Sequence, residues 1–324
     1  MVMKAIVYTK YGPPDVLEVK EVEKPVPDGS QVLVKVEAAS VNYGNLVLLK
    51  GEPFAARFAF GLRRPKYPVP GGDIAGRVEA VGKEVTQFAP GDEVFGDLSG
   101  SGWGGFAEYA CVPETALVKK PSNLSFEEAA AVPMAAVTAL QGLRNKGGIK
   151  EGQSVLIYGA SGGVGTFAVQ IARAFGAEVT GVCSTRNIDT LRSIGADHAI
   201  DYKKENFTER QEQYDLIAGV NGHQPISAYE RALRPNGTFV HIGGSGAQMA
   251  QAMMLGPWIS LTKKKKVGSL LQRANQDDLL LIKDLIEAGK VKPVLDRQFG
   301  LEEVREAFTY FAEGHARGKI VITM

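Results

Sequence analysis

The residues best suited to chemistry lie in one short run, Gly159-Ala160-Ser161-Gly162-Gly163-Val164-Gly165. It follows the apolar segment Ser154–Tyr158 and precedes an amphipathic stretch, Thr166–Phe175. Ala160, Gly162 and Gly165 occupy the three offsets of a dinucleotide-binding fingerprint, with Ala at the first. A small first residue permits the tight strand-to-helix turn, Gly162 lets backbone approach a diphosphate, and Gly165 lets the helix pack closely on the strand. The helix N-terminus adds unpaired N–H groups and the positive end of its dipole. Ala160 through Gly165 are therefore candidate cofactor contacts.

The second strand of such a unit ends where the adenosine ribose lies, and here the chain reads Val182-Cys183-Ser184-Thr185-Arg186. A carboxylate there would accept the ribose 2′-hydroxyl of NAD, but no Asp or Glu occurs before Asp189. Ser184 and Arg186 supply donors and fixed positive charge suited to a 2′-phosphate, so NADPH is the expected cofactor.

Other chemistries lack their residues. There is no HExxH, no GxSxG and no cluster of Cys or His. The histidines at 198, 223, 241 and 315 are scattered, and His198 and His241 fall in expected strands. Gly96–Gly105 carries Trp103 but no cysteine, so it cannot be a zinc lobe. Ser161 belongs to the phosphate turn rather than to a nucleophile elbow. Lys263–Lys266 reads as a solvated face, and with Lys+Arg 37 against Asp+Glu 36 nothing draws the chain to nucleic acid. Cys111 and Cys183 have no partner motif and suit a reducing compartment. The N-terminus has no apolar leader, and no apolar run approaches membrane-spanning length, so a cytoplasmic location is expected.

The positioning elements change character along the chain. Residues 4 to 120 read as short strands, among them Lys4–Tyr8, Gln31–Glu37, Gly76–Val81 and Glu93–Phe95, separated by Pro/Gly turns. This half reads as a small, partly open barrel. Ser125-Phe-Glu-Glu128 is a capping box opening an Ala-rich helix that breaks at Pro133. Strands at Ser154–Tyr158, Glu178–Val182, His198–Ile200, Asp215–Val220, Thr238–Ile242 and Lys266–Leu270 then alternate with helices, implying a parallel sheet covered on both faces. Lys266–Leu270 is expected at the sheet edge, where it invites pairing with a second copy. After about residue 290 come a strand at Asp296–Phe299, a helix at Leu301–Glu313 and a last strand at Lys319–Thr323, expected to pair with the first domain. The expected division is 1–121 with 291–324 as the substrate domain and 122–290 as the nucleotide domain.

Collinear with these features are Val32–Asn42, Gly71-Gly-Asp-Ile-Ala-Gly76, Ala89-Pro-Gly-Asp-Glu-Val94, Cys183-Ser-Thr-Arg-Asn187, Gly195-Ala-Asp-His198 and Gly318-Lys-Ile-Val-Ile322. On these motifs the whole chain resembles the zinc-independent quinone oxidoreductase branch of the medium-chain dehydrogenase/reductase superfamily. The resemblance implies an α/β fold, in which a GroES-like β-barrel domain accompanies a Rossmann doubly wound parallel sheet, with the active site in the cleft between them. It further implies a homodimer. It places Asn42 beside the nicotinamide, with Tyr43 as a candidate donor, Thr138 near the nicotinamide end, Tyr202 near the 2′-phosphate, Val220 and Gly243 along the ribose, and Lys319 near the cofactor. Where zinc-dependent relatives carry ligands, this chain has Asn42, Gly72-Asp73 and a position near Met134, so no metal is expected.

Without a metal to stabilise an alkoxide, a quinone or enone is the favoured hydride acceptor, because it delocalises the incoming charge. The expected substrate is an apolar or aromatic carbonyl compound. An enoyl-thioester reductase, an NADP-dependent alcohol dehydrogenase and a non-catalytic NADPH-binding protein remain the alternatives. The run Asn42-Tyr-Gly-Asn45-Leu-Val47 departs from the N-x-x-D-x-Tyr common in quinone reductases, leaving the proton donor unassigned. Phe54, Phe58 and Phe60, in an elaborated loop over 52–66, are candidates for an apolar wall, with ordinary packing the competing expectation.

Overall fold

Short β-branched runs between Pro/Gly turns become strands, in chain order β1 (Val2–Val7), β2 (Glu18–Glu23), β3 (Gln31–Val41), β4 (Asp73–Val81), β5 (Glu93–Asp97), β6 (Tyr109–Pro113), β7 (Leu117–Lys119), β8 (Ser154–Tyr158), β9 (Glu178–Cys183), β10 (His198–Asp201), β11 (Tyr214–Gly219), β12 (Leu233–His241), β13 (Lys266–Ser269), β14 (Leu295–Gly300) and β15 (Lys319–Thr323). The computed structural model describes residues 1–210, 213–244 and 246–324. By packing they form two units, Met1–Ala135 with Ala274–Glu287 and Pro293–Met324, and Ala136–Arg273 with Ala288–Lys292.

In the first unit β3 is the hub. The order is β14-β15-β3-β4-β5-β7, with β6 also on β3 and β1 paired with β2 in a separate ribbon. The C-terminal strand does return to this unit: β15 runs antiparallel to β3, with Ile320 opposite Val41, and parallel to β14. Inward Val32, Val34, Ile74, Val78, Val94, Phe106 and Phe308 make the core. Ser40 faces Asp73 across the β3/β4 ladder, and β15 begins at Lys319, one residue beyond the Ile320–Val41 pair. Three distant segments thus meet at one end of the sheet.

The change of period at residue 122 lies inside this unit. Ser125 accepts from the Glu128 N–H at 3.2 Å while Glu128 accepts from the Ser125 N–H at 3.1 Å, so the capping box forms. The helix it opens, Phe126–Ala130, packs on β3 and β4. The helix Gln276–Glu287 packs on β7, and Asn123 donates to the Ile286 carbonyl at 2.9 Å.

The second unit is a parallel sheet of order β10-β9-β8-β11-β12-β13. That is the doubly wound order, with the switch point between β8 and β11. Val155, Leu156 and Ile157 are all buried, as expected of a strand covered on both faces. Tyr229 stacks on Phe239 with centroids 4.5 Å apart. β13 is an edge strand. Several bounds differ from expectation, two of them in this unit by most of a turn or more. The helix after β8 begins at Gly163, because Gly162 already serves as its N-cap, and β12 starts at Leu233, passing a left-handed Asn236 before the ladder resumes.

Candidate functional site

In the parallel-sheet unit the glycine turn has the geometry its residues require. Gly159 sits at φ +84°, and a Cβ on it would lie 2.8 Å from the Asn221 nitrogen. Gly165 is tighter: a Cβ there would stand 2.1 Å from the Gly159 carbonyl oxygen. Gly162 is the opposite case, with nothing nearer than 3.8 Å from its hypothetical Cβ. Ala160 is buried, and its N–H donates to the Val182 carbonyl at 3.0 Å, tying the turn to β9. Ser161, Gly162, Gly163 and Val164 are half-buried at the start of the helix Gly163–Ala174, whose first N–H groups have no intrahelical acceptor. This open cradle fits a dinucleotide diphosphate.

Ser184, buried, closes β9 and begins the turn Thr185–Asn187, in which Arg186 is exposed. Tyr202 follows β10, exposed, its N–H bonded to the Cys183 carbonyl at 3.1 Å. The structure thus brings Ser184, Arg186 and Tyr202 to one end of adjacent strands. It also brings a carboxylate that the sequence reading passed over, Asp201, which pairs in register with Cys183. That carboxylate is occupied: it accepts from the Thr185 hydroxyl at 2.6 Å and the Lys203 N–H at 3.0 Å, bonds that hold it below the usual carboxylate range. Val220 and Gly243 come together after β11 and β12, since a Cβ on Gly243 would lie 2.5 Å from the Val220 carbonyl oxygen. Thr138 is half-buried in the helix Pro133–Leu140.

In the first unit Asn42, Asp73 and Lys319 form a buried polar cluster. Lys319 Nζ donates to Asn42 Oδ1 at 2.5 Å and to the Val41 carbonyl at 3.1 Å, and lies 3.8 Å from Asp73 Oδ2. Asn42 Nδ2 donates to Asp73 Oδ2 at 2.8 Å, and the Ser40 hydroxyl reaches the same oxygen at 3.0 Å. The Met134 N–H donates to the other carboxylate oxygen at 3.0 Å. The Asn42 amide is therefore held at both ends. Burial pushes the Asp73 carboxyl up to about 7, against the pull of Lys319 and with Asp97 adding to the rise. Burial likewise brings the Lys319 ammonium down to about 8, against the pull of Asp73 and Asp97. Tyr43 stands apart. It opens the helix Tyr43–Lys50, its side chain is 66 % exposed, and its hydroxyl bonds to none of these groups.

Trp103 and Met134 pack beside the cluster, over Gly44 and Gly72. Trp103 has φ +64° between Gly102 at +113° and Gly104 at +101°, so three successive residues are left-handed. Phe60 packs edge-on against Trp103 at 6.1 Å, whereas Phe54 and Phe58 are exposed and touch each other at 6.2 Å. Packing explains Phe60, and the other two are surface residues.

A zinc ion does not fit this donor set. Asp73 is its one anionic ligand type, already bonded by a hydroxyl, an amide and a backbone N–H, with an ammonium alongside. Among the described residues no group of three or more His, Cys, Asp or Glu could hold a metal. The lysine run is partly structural, since Lys263 and Lys265 bond the buried Glu230 at 3.0 and 3.1 Å. Burial works to raise the Glu230 carboxyl, but the two lysines outweigh it and hold it below its usual range. His198 pairs with Glu178 at 2.9 Å, and burial lowers the His241 imidazole. No described helix is long and apolar enough to cross a membrane.

Comparison with known proteins places this geometry. Residues 28–122 match the alcohol dehydrogenase GroES-like domain, and residues 194–322 match the zinc-binding dehydrogenase model. The chain is 36% identical to the chloroplast envelope quinone oxidoreductase homolog of Arabidopsis thaliana, over 99% of this chain and 98% of that one. It is 34% identical to the Arabidopsis thaliana chloroplastic NADPH-dependent alkenal/one oxidoreductase, over 99% of this chain and 79% of the relative. The solved quinone oxidoreductase of Coxiella burnetii superposes with a TM-score of 0.88 at 30% identity, over 100% of both chains. The chain is an oxidoreductase that belongs to the medium-chain dehydrogenase/reductase superfamily, in its quinone oxidoreductase-like branch.

Proposed function

We propose that the chain reduces a quinone or an activated alkene such as an enone with NADPH, and that no metal ion takes part. When bound, the dihydronicotinamide supplies the hydride. The chain's own residues position and neutralise. Ala160 through Gly165 receive the diphosphate, and Ser184, Arg186 and Tyr202 receive the 2′-phosphate. Thr138 lies toward the nicotinamide end, and Val220 and Gly243 line the ribose. Asp201, the carboxylate beside this end of the strands, is turned toward the Thr185 hydroxyl and the Lys203 N–H, which supports the choice of NADPH over NADH.

The observation that carries the substrate reading is the buried Lys319–Asn42–Asp73 cluster, in which Asn42 and Asp73, at positions where zinc-dependent relatives carry metal ligands, are bonded to each other and to an ammonium. A simple ketone needs a Lewis acid or a positioned acid for its developing alkoxide, whereas a quinone or enone spreads that charge over its own conjugated system. Positioning and exclusion of water then supply most of the remaining acceleration. Asn42 is the residue proposed to face the reacting groups, with Tyr43 at the surface as a donor. The apolar Trp103 and Met134 suit an aromatic or apolar carbonyl compound. The names of the two Arabidopsis relatives point to the same acceptor classes.

EDTA-dialysed protein should oxidise NADPH with a small benzoquinone or an open-chain enone, followed by loss of NADPH absorbance. No turnover with either, or turnover that requires added zinc, would refute the proposal.

A homodimer is proposed through β13, whose free edge lies beside the helix Gly246–Thr262. That helix has no charged residue and exposes Met253, Met254, Trp258 and Leu261, and a helix apolar on both faces is normally covered. The unpaired thiols of Cys111 and Cys183 favour a reducing compartment such as the cytoplasm.

A further inference from the structure

Asn187 joins the glycine turn to the end of β9. It is the N-cap residue of the helix Ile188–Ser193, a place where an Asn side-chain oxygen ordinarily accepts a backbone N–H of the first turn. Here the side chain makes no such bond. It is turned the other way, 5% exposed, with Nδ2 donating to Ser161 Oγ at 2.9 Å and to Ser184 Oγ at 3.3 Å. One serine stands in the glycine turn, the other at the end of β9. Asn187 Oδ1 is buried and has no partner.

The consequence follows from hydrogen-bond polarity. Each serine oxygen already accepts an amide N–H, so its own proton is directed elsewhere. Neither hydroxyl donates to a protein acceptor among the described residues. Two buried or half-buried O–H groups are thereby set as donors, and phosphate oxygens are strong acceptors that can only accept. We infer that Asn187 is a positioning residue for coenzyme choice: anchored on Ser161, it fixes the Ser184 hydroxyl, at the 2′-phosphate end, as an outward donor and so favours the 2′-phosphorylated nucleotide. This rests on the proposed NADPH reading.

The test uses equilibrium binding as well as kinetics. Calorimetric titration of the full chain with 2′,5′-ADP, and fluorescence titration with NADPH and NADH, are run on the native chain, Asn187→Ala, Asn187→Asp, Ser184→Ala and the Ser184→Ala/Asn187→Ala pair. Asn187→Ala should weaken 2′,5′-ADP and NADPH about tenfold, leave NADH within about twofold, and leave kcat at saturating NADPH unchanged. Asn187→Asp should do more, on the order of a hundredfold for NADPH, because a carboxylate accepts from both hydroxyls, turns their protons inward and adds negative charge. Ser184→Ala tests the same contact with Asn187 in place, so misfolding of one variant does not decide the matter, and the pair should bind no worse than Ser184→Ala alone. NADH and NADPH weakening in parallel would indicate a merely structural residue and overturn the inference. So would a native chain that prefers NADPH while Asn187→Ala keeps that preference. A native chain with no preference overturns the NADPH reading and this inference together.

Discussion

Lys319→Ala tests the buried cluster most directly. The substitution removes the ammonium that donates to Asn42 Oδ1 and lies 3.8 Å from Asp73 Oδ2. Asp73 is fully buried beside Asp97, and without the ammonium its carboxyl, already raised to about 7, would rise further and hold a proton at neutral pH among the donors of Ser40, Asn42 and Met134. Proton uptake keeps the loss below the roughly 3–5 kcal/mol of a stranded charge, at about 1–3 kcal/mol. At about 2–4 °C per kcal/mol for a unit of this size, the unfolding midpoint should fall by roughly 2–12 °C. Adding Asp73→Asn removes the titrating carboxyl and keeps a carbonyl oxygen for Ser40 and Asn42. The double variant should return to within about 1 kcal/mol of the native chain, with a coupling energy of about 1–2 kcal/mol. Stability should recover in the double variant while turnover does not, because Asn42 Oδ1 still has no anchor. The assay is thermal unfolding by circular dichroism at neutral pH on all four members of the cycle, with quinone turnover measured alongside. A double variant no more stable than the worse single would refute the reasoning.

Gly165→Ala should destabilise the parallel-sheet unit by about 3 kcal/mol or more, because the new methyl would stand 2.1 Å from the Gly159 oxygen. Gly162→Ala should leave the free protein's midpoint unchanged but weaken NADPH about tenfold or more; equal damage from the two would contradict the geometry. Arg186→Ala should raise the KM for NADPH about tenfold or more while NADH changes less than about twofold, and steady-state kinetics with both coenzymes decides it. Stability should also carry the signature of Asp73. With its carboxyl raised to about 7 from 3.8, the folded chain keeps a proton that the unfolded chain has released, so this residue's contribution falls as pH rises between those values. Denaturant melts across that range should lose this slope in Asp73→Asn, and an unchanged slope would count against the assignment. Trp258→Glu with Leu261→Glu should convert a dimer to monomer in light scattering, and an unaffected mass would exclude that helix face from the interface.

Much of the parallel sheet was legible in the residues, because strands buried on both faces advertise themselves as uninterrupted apolar runs such as Val155-Leu-Ile157. The glycine turn was legible for a related reason: close backbone approach admits few residue types. β2 carries no such signal, since Glu18–Glu23 is almost wholly exposed and has no inward stripe to read. The polar cluster was harder. Asn42 was foreseen, but Asp73 lies 31 positions from it and Lys319 lies 277, and only the ladders of β3 with β4 and β15 put them together. Asp73 figured in the sequence only as an occupant of a missing metal ligand's place. Asn187 and Asp201 escaped notice for a simpler reason: which partner a short polar side chain chooses is a matter of rotamer and register.

The left-handed stretch at Gly102-Trp103-Gly104 bears on how this protein could be re-engineered. A bulky residue at φ +64° sits where the backbone would be at ease with glycine, and the mismatch amounts to roughly 1–2 kcal/mol. That mismatch arises at Cβ, so glycine alone would relieve it, and any shorter side chain keeps the strain while forfeiting packing against Phe60, Gly44 and Gly72. With about 3–5 kcal/mol of core packing set against that smaller strain, Trp103 is held in place by its neighbours and not by its backbone.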